Sequence, residues 1–447
     1  MEESAFRKAL LAEGKKAGFT CCEVYSRESR QFSVMILEGE VSNWENSRLW
    51  GVSFRGEYKG RTGCSSTERM TEADIPYLIA EAKENACLLP EGERQELYAP
   101  LTQQKVADAV NGDLERLTAE EKIQAARRME QAALAKGACI ASMDYCTLET
   151  MWSRVAIENT LGLDVSFCKN SATAYVCAIA KDGDTVKTGS HFWKGQRWQD
   201  FHPKETGRKA AENAASQLGA VGIGSGSYGV VLDGSVMASF LKVFSEIFFG
   251  ETVQKGFSLL KGKKDTVLAS PCVTLWDNPF LEGGYASRPF DDEGVPCREK
   301  AVIEKGVLKT YLYNLKTAKE DGVSSTGNGF KGGLTAPVKT AATNFYLEKG
   351  AGSQADLLAH MGEGLLITEI TGLHAGANTV SGDFSLSAEG FLVEQGRKSH
   401  AVEQITVGGN FYTLLQTIAE VGEDLYFMPS GYGSPSVRVE RMRIAGE

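Results

Sequence analysis

The histidines are the side chains whose spacing first suggests chemistry. His191 and His202 flank the segment FWKGQRWQDF, and Asp200 lies between them. Two imidazoles and a carboxylate are ligands that Zn²⁺ accepts, so this stretch is compatible with a surface metal site. Hydrogen-bonded surface histidines are the favoured interpretation, because such pairs are more often ordinary surface residues than metal ligands.

A run of three carboxylates is the second candidate. Asp291, Asp292 and Glu293 stand directly before Gly294. Paired carboxylates can exchange protons with a substrate or bind Ca²⁺ or Mg²⁺. Their consecutive spacing and the following glycine favour a solvated turn instead. Glu158–Asn159 similarly predicts a turn between two strands.

Sequence motifs for the common catalytic loops are out of context or missing. GIGSGSYG (222–229) has the glycines of a phosphate-binding loop, but that loop needs a strand before it and a helix after it. Here a helix precedes the segment and the strand VVL follows, which predicts a flexible interdomain linker. The sequence contains no GxSxG nucleophile elbow and no HExxH zinc motif. The residues by themselves therefore identify no catalytic centre.

Composition limits the classes of partner. The chain has 447 residues and a net charge of −10, which argues against a nucleic-acid backbone as the main partner. The start, MEESAFRKALLAEGKK, lacks the basic residues and apolar run of a signal peptide, and no apolar stretch approaches membrane-spanning length. We expect a soluble cytoplasmic protein without a membrane or direct nucleic-acid partner.

The ten cysteines predict reduced thiols. They include no CxxC pair and are scattered through a chain too large to need disulfide bonds. Most stand in apolar surroundings, so we expect them to be small buried hydrophobic residues.

Hydrophobic periodicity predicts an α+β protein, in which N-terminal helix-plus-antiparallel-meander sections precede a larger β-rich C-terminal domain. Thr118 and Glu121 have the spacing of a capping box at one helix start. Short alternating segments with Gly and Asn at their joints predict the meanders. The predicted helices cover residues 2–17, 71–86, 119–135, 204–218, 235–249, 356–360 and 411–420.

Two polar stretches divide the chain into three sections. The first α+β section covers residues 1–100 and the second covers residues 101–220, and these two could form one domain. The β-rich domain covers residues 221–447. The long strands expected in that domain could offer an open edge to an extended peptide.

The glycine-rich stretch 364–396 contains the clearest local structure. Leu365 to Ile370 predict a buried strand. A second strand starts at Phe391, turns at Gln395–Gly396 and returns through Val402 to Val407, which predicts a β-hairpin.

The loop that leads to this hairpin holds three polar candidates. Asn378 and Asp383 suit a loop that caps its own backbone or meets a ligand, and a structural loop is the favoured interpretation. We interpret His374 as a turn histidine that is hydrogen-bonded to solvent, in preference to a ligand contact.

The segment ITGLHAGANTVSGDFSLSAEGFLVEQG resembles the C-terminal signature of the TldD/PmbA family. Members are named modulators of DNA gyrase and are described as subunits of a zinc-dependent peptidase. VAIENTLGL, RPFDDEGVP and GVLKTYLYNLKTAKEDGVSSTGNG stand in family order, so the resemblance extends over most of the chain. The pattern is more similar to the PmbA branch, also called TldE, than to TldD. The acidic net charge gives the gyrase name no support.

The resemblance implies a set of positions in family motifs or a peptide groove, without a catalytic role. These positions are Asn159, Asp291, Asp292, Glu293, Asn328, His374, Asn378 and Asp383.

The resemblance also implies that a metal centre is missing. The catalytic branch carries HExxxH on a helix and a cysteine near the C-terminus. The matching segment GVVLDGSVMASFL (229–241) places Asp233, Gly234 and Ala238 at the His, Glu and second His positions. PSGYGSPSVRVERM (429–442) has no cysteine. We therefore expect no catalytic residue, cofactor or metal in this chain, and zinc in a TldD-like partner.

The resulting functional hypothesis is a metal-free PmbA/TldE-like subunit of a cytoplasmic zinc peptidase complex. Such a subunit would contribute the interface and peptide binding to the cleavage of unfolded or peptide substrates. The alternative is a non-hydrolytic homodimeric scaffold protein. An independent hydrolase with an unrecognised site is disfavoured, because both parts of the HExxxH and cysteine site are absent.

Overall fold

The computed structural model describes residues 1–102 and 106–446, in which strands outnumber helices. The helices are α1 (Glu3–Lys16), α2 (Asp74–Leu88), α3 (Gly112–Arg116), α4 (Ala119–Leu134), α5 (Pro203–Ser216), α6 (Gly234–Phe244), α7 (Gly250–Gln254), α8 (Leu315–Glu320), α9 (Gln354–Met361), α10 (Leu373–Gly376) and α11 (Phe411–Thr417). The strands are β1 (Cys22–Leu37), β2 (Glu40–Tyr58), β3 (Arg61–Thr67), β4 (Ile140–Asn159), β5 (Asp164–Asp182), β6 (Thr185–Gly195), β7 (Gly226–Leu232), β8 (Leu275–Asp277), β9 (Lys300–Glu304), β10 (Val307–Leu308), β11 (Gly329–Lys331), β12 (Val338–Thr340), β13 (Phe345–Leu347), β14 (Gly364–Thr371), β15 (Asp383–Glu394), β16 (Arg397–Asn410), β17 (Ile418–Val421), β18 (Tyr426–Phe427), β19 (Tyr432–Ser434) and β20 (Val437–Ala445). The chain is α+β with a β-rich C-terminal part, as predicted.

One antiparallel sheet of order β3-β2-β1-β4-β5-β6 contains the strands of both early sections. The pairing of β1 with β4 joins two three-stranded meanders. The strands β1, β2, β4 and β5 run without a break for 16 to 20 residues, where the sequence predicted shorter segments. Polar residues within them do not interrupt pairing, because an antiparallel sheet can leave one face in solvent.

Four of the helices cover this sheet in two pairs. Helices α1 and α2 pack over one end, where Phe6, Leu10 and Leu78 are fully buried. Helices α4 and α5 pack over the other end around Met129. The predicted capping box is confirmed. The side chain of Thr118 accepts a hydrogen bond from the backbone N–H of Glu121, and the side chain of Glu121 accepts one from the backbone N–H of Thr118.

The C-terminal part is built on a closed ring of strands. Strands β16, β15, β14, β7 and β20 pair in this order, and β16 then pairs with β20. Helix α6 packs against the ring, and Phe244 stacks on Phe411 with 4.5 Å between ring centroids. The predicted β15–β16 hairpin is confirmed. Its two-residue turn, Gln395–Gly396, has positive φ at both positions, as a type I′ turn requires.

Two smaller sheets complete this part, one of order β10-β9-β8-β13-β19-β18 and one of β11 with β12. The linker prediction for 222–229 is wrong in its second half, because Gly226 to Tyr228 already belong to β7 and pair with β20. The prediction rested on the glycine content of this segment. A strand of the closed ring can contain glycine where the neighbouring strand supplies the hydrogen bonds.

The ten cysteines are free, and their burial is mixed. Cys22, Cys146, Cys177 and Cys297 are buried as expected, whereas Cys64, Cys87 and Cys272 are exposed. Within the described residues no helix is both long and apolar enough to cross a membrane.

Candidate functional site

The start of α6, where the family resemblance places the metal-binding motif, is committed to a structural role. Asp233 is the N-cap residue, and its Oδ1 accepts from the backbone N–H of Ser235 at 2.9 Å. Its Oδ2 accepts from Nε2 of Gln354 at 3.0 Å. Both carboxylate oxygens are thus used to hold the helix end. Asp233 therefore serves as a helix cap in this structure.

The next two positions have no room for metal-site side chains. A Cβ added to Gly234 would lie 2.5 Å from the carbonyl oxygen of Ser434, so even alanine would clash there. Ala238 is fully buried in the hydrophobic core. Among residues 1–102 and 106–446, no three His, Cys, Asp or Glu side chains converge to hold a metal ion. The residues at this place do not fit the zinc centre of the catalytic branch.

A cavity of about 620 Å³ nevertheless opens beside the start of α6, and we call it the α6 cavity. It lies between the N-terminal sheet and the C-terminal ring. Its walls include Thr188 to Phe192 of β6, Asn213 near the end of α5, Ser239 of α6, Glu369 of β14 and Tyr426 of β18. Most of these side chains are polar, so the cavity suits a solvated, hydrogen-bonding ligand.

His191 and Tyr426 are among the titratable groups of the α6 cavity whose pKa values are shifted. Partial burial lowers the pKa of His191, with a further contribution from Lys209, so the imidazole is neutral at pH 7. Burial and the charge of Asp233 raise the pKa of Tyr426, which keeps its hydroxyl protonated. Both groups can donate or accept hydrogen bonds without carrying charge.

Strand β6, which borders the α6 cavity, is an edge strand. Within the described residues it pairs with β5 on one side and with no strand on the other. The carbonyl of Ser190 accepts from Nδ2 of Asn213 at 2.9 Å, so part of this edge already receives a side-chain donor. Helix α5 supports the strand closely, since a Cβ on Gly189 would lie 2.0 Å from the backbone nitrogen of Ala214. The cavity therefore exposes a rigidly held strand edge.

The edge strands beside the α6 cavity come from both parts of the chain. We expected an open edge in the β-rich C-terminal domain, where the main sheet closes into a ring that leaves few unpaired backbone groups. Strand β18, at the edge of the second C-terminal sheet, and β6 of the N-terminal sheet both contribute residues to the cavity. Strand content could not indicate this, because closure depends on the β16–β20 pairing between distant segments.

The carboxylate run is buried, so the prediction of a solvated turn is wrong. Asp291, Asp292 and Glu293 are 0%, 4% and 5% exposed. Asp291 accepts hydrogen bonds from the backbone N–H groups of Glu293, Val295 and Gly329. Glycine at 294 provides a positive φ of 80°, but the turn faces the interior because partners from other segments satisfy its carboxylates.

The pKa values of Asp291 and Glu293 are raised, whereas the pKa of Asp292 is lowered. Burial, and next the neighbouring charge of Glu293, raise the pKa of Asp291 well above its usual value. Burial raises the pKa of Glu293 to about 7. Burial also opposes ionisation of Asp292, but the charge of Arg288 and the hydrogen bonds donated by Lys331 and Arg288 together outweigh burial and lower the pKa of Asp292. Nη2 of Arg288 donates to Oδ1 of Asp292 at 2.7 Å.

Two buried asparagines belong to the same region. Nδ2 of Asn159 donates to the carbonyl of Tyr98 at 2.9 Å, and its Oδ1 accepts from the N–H of Leu161 at the predicted turn. Nδ2 of Asn328 donates to Asp277 at 2.9 Å. The hydroxyl of Tyr25 on β1 also donates to Asp292. The bonds of Tyr25 and Arg288 place Asp292 in a buried polar network that joins the N-terminal sheet to the C-terminal part. The bonds of Asn159 stay within the N-terminal part, and those of Asn328 stay within the C-terminal part.

The loop candidates lie outside this network. Oδ1 of Asn378 accepts from the N–H groups of Val380 and Ser381, so it caps its own loop, as predicted for a structural asparagine. Oδ1 of Asp383 accepts from Nδ2 of Asn410. His374 is exposed on the short helix α10. None of these three side chains lines the α6 cavity.

The two histidines of the predicted pair have different surroundings. His191 is half-buried in the α6 cavity, which corrects its interpretation as a surface histidine, whereas His202 is exposed at the start of α5. Sequence reasoning missed the cavity residues Glu369 and Tyr426 altogether. No local signal marks them, because they come from strands that meet only in the folded chain.

Three family models match the chain in succession. The PmbA/TldA metallopeptidase domain 1 matches residues 22–86, the central domain matches 112–218, and the C-terminal domain matches 225–446. The metalloprotease PmbA of Escherichia coli O157:H7 is 26% identical over 454 residues, which cover 100% of this chain and 96% of that protein.

Solved structures share the fold over the whole chain. A Thermotoga maritima protein described as a candidate modulator of a DNA gyrase is 35% identical, with a TM-score of 0.92 over 99% of this chain and 100% of that one. TldE from Thermococcus kodakarensis is 23% identical and shares the fold, with a TM-score of 0.91 over 99% and 100% of the two chains.

Proposed function

The chain belongs to the PmbA/TldD metallopeptidase family, and we propose that it is a metal-free, PmbA/TldE-like subunit of a peptidase complex. The start of α6 carries the proposal. There Asp233 caps the helix, Gly234 faces a backbone carbonyl without space for a side chain, and Ala238 is buried. A TldD-like subunit would then supply zinc and hydrolysis.

The contribution of this chain is peptide binding along β6. An extended peptide can add to an edge strand through main-chain hydrogen bonds, and the side chains then enter neighbouring pockets. The α6 cavity lies beside Thr188 to Phe192, with neutral hydrogen-bonding groups from His191 and Tyr426. The substrate class is an unfolded or peptide-like chain, because a folded protein cannot offer a free strand to this edge.

The first experiment compares zinc content and peptide hydrolysis for this chain alone, for a TldD-like protein of the same organism alone, and for their mixture. We expect the chain to be inactive and zinc-free by itself and to be required for full activity in the mixture. Stoichiometric zinc and hydrolysis by the purified chain alone would overturn the proposal. A chain that never alters the activity of the partner would favour the homodimeric scaffold alternative.

A matched pair of variants on β6 tests the peptide path. Thr188 and Thr185 are both exposed on this strand, but only Thr188 lines the α6 cavity. Thr188→Trp should fill the cavity and lower the activity of the mixture about tenfold or more, since a displaced strand loses several hydrogen bonds. Thr185→Trp should leave the activity unchanged. Equal effects of the two variants would exclude the α6 cavity as the peptide path.

A further inference from the structure

A second cavity, of about 480 Å³, lies between the N-terminal sheet and the loop 279–289, and we call it the Lys169 cavity. Strands β5 and β6 contribute Lys169 and Lys194, and the loop contributes Arg288. The loop is closed at its base, because the N–H of Arg288 donates to the carbonyl of Pro279 at 3.0 Å. Three cationic residues therefore line one open cavity.

Two of these three cations already have partners. Arg288 is paired with Asp292, and Nζ of Lys194 donates to the carbonyl of Pro429 at 2.8 Å. In the part of the chain that the structure describes, Nζ of Lys169 makes no ion pair or hydrogen bond with another side chain or carbonyl. Glu282, the acidic residue in the cavity wall, is exposed on the loop.

The pKa of Lys169 is lowered, as expected for an ammonium group without a carboxylate partner. Burial, and next the charges of Arg288 and Lys194, lower the pKa of Lys169 to about 8, while the charge of Asp292 opposes this effect. An ammonium group kept near other cations is unfavourable unless an anion joins them. The cavity thus suits a ligand with a negative group, whose charge would raise the pKa of Lys169 again.

The remaining walls are largely apolar. Phe167 and Met151 lie on the side of the sheet, and Phe280 and Leu281 lie on the side of the loop. The ring of Tyr285 receives Nζ of Lys194 at 5.1 Å from its centroid. A bare inorganic anion would leave these apolar surfaces without a contact. A carboxylate attached to an apolar group would use both the cations and the walls.

We propose that the Lys169 cavity binds the C-terminal carboxylate of a peptide whose last side chain is apolar, with Lys169 as the principal cationic contact. The proposal deepens the proposed function, on which it rests for the peptide nature of the ligand. It assigns a substrate class, peptides with a free C-terminus, to a cavity that is separate from the α6 cavity.

The test measures binding to the purified chain alone by calorimetry at pH 7. The probes are the tetrapeptide Ala-Ala-Ala-Phe as a free acid and as a C-terminal amide. We expect the acid to bind about 10- to 100-fold more tightly than the amide, because an ion-paired hydrogen bond is lost. Lys169→Met should remove this preference, and Lys169→Arg should retain it.

Lys181→Met is the matched control, since Lys181 is exposed on the same strand and outside the cavity. Circular dichroism of each variant verifies folding. Equal binding of acid and amide, or an unchanged preference in Lys169→Met, would overturn the proposal, as would inorganic phosphate that binds as tightly as the acid. Because no partner subunit is present, failure here leaves the peptidase-subunit proposal to its own activity test.

Discussion

Glu293→Gln provides the sharpest test of the buried carboxylate network. Glu293 is 5% exposed, and its Oε2 accepts from the N–H of Leu315 at 2.8 Å. Burial raises its pKa from 4.5 to about 7. Glutamine has nearly the same shape and can accept the same hydrogen bond. The substitution therefore removes the ionisation with little change in packing.

The sign and size of the effect follow from proton linkage. Below pH 4.5 the carboxyl group of Glu293 is protonated in both the folded and the unfolded chain. As the pH rises from 4.5 to about 7, the unfolded chain loses this proton first, so the stability of the wild-type protein falls. The interval between these pKa values corresponds to about 3 kcal/mol. Glu293→Gln should lack this fall and be more stable than the wild type by about 1 to 3 kcal/mol at pH 8.

Urea unfolding followed by tryptophan fluorescence between pH 4.5 and 8 measures this difference. Asp292→Asn is the matched control, because Asp292 has a low pKa and is paired with Arg288. It should destabilise the protein at pH 8 by about 3 kcal/mol or more, since a buried cation loses its partner. If Glu293→Gln is less stable than the wild type at pH 8, or if its pH dependence is unchanged, the assignment of a raised pKa is refuted.

Two further substitutions test packing at the start of α6 and between the domains. Gly234→Ala should lower the free energy of unfolding by about 1 to 3 kcal/mol, because its Cβ would lie 2.5 Å from the carbonyl oxygen of Ser434. Thermal unfolding of the variant and the wild type measures this loss of stability. An unchanged unfolding midpoint would contradict the close packing at Gly234. Lys187→Met should lower the free energy of unfolding by about 1 to 3 kcal/mol and speed proteolysis between the domains. The reason is that Lys187 is 8% exposed and forms ion pairs with Glu389 and Glu403. Unaltered proteolysis would show that these pairs do not hold the domains together.

Much of the local structure was predictable from neighbouring residues. The capping box of Thr118 and Glu121 and the hairpin turn at Gln395–Gly396 both follow from side chains and φ preferences within a few positions. The family assignment, and the expectation that Asp233, Gly234 and Ala238 replace the His, Glu and second His of the zinc motif, likewise rest on the residues in sequence. Such features need no knowledge of distant contacts.

The surroundings of the candidate residues needed the tertiary structure. Asp291, Asp292 and Glu293 look like a solvated turn in sequence, but Tyr25, which is 267 positions before Asp292, helps to satisfy them inside the protein. The open edge of β6 and both cavities likewise arise where distant segments meet. The sequence by itself determined the fold class, the family and local features such as the capping box and the hairpin turn. Only the tertiary structure decided which charges are buried and which strand edge remains open, because burial and pairing depend on contacts that local patterns do not contain.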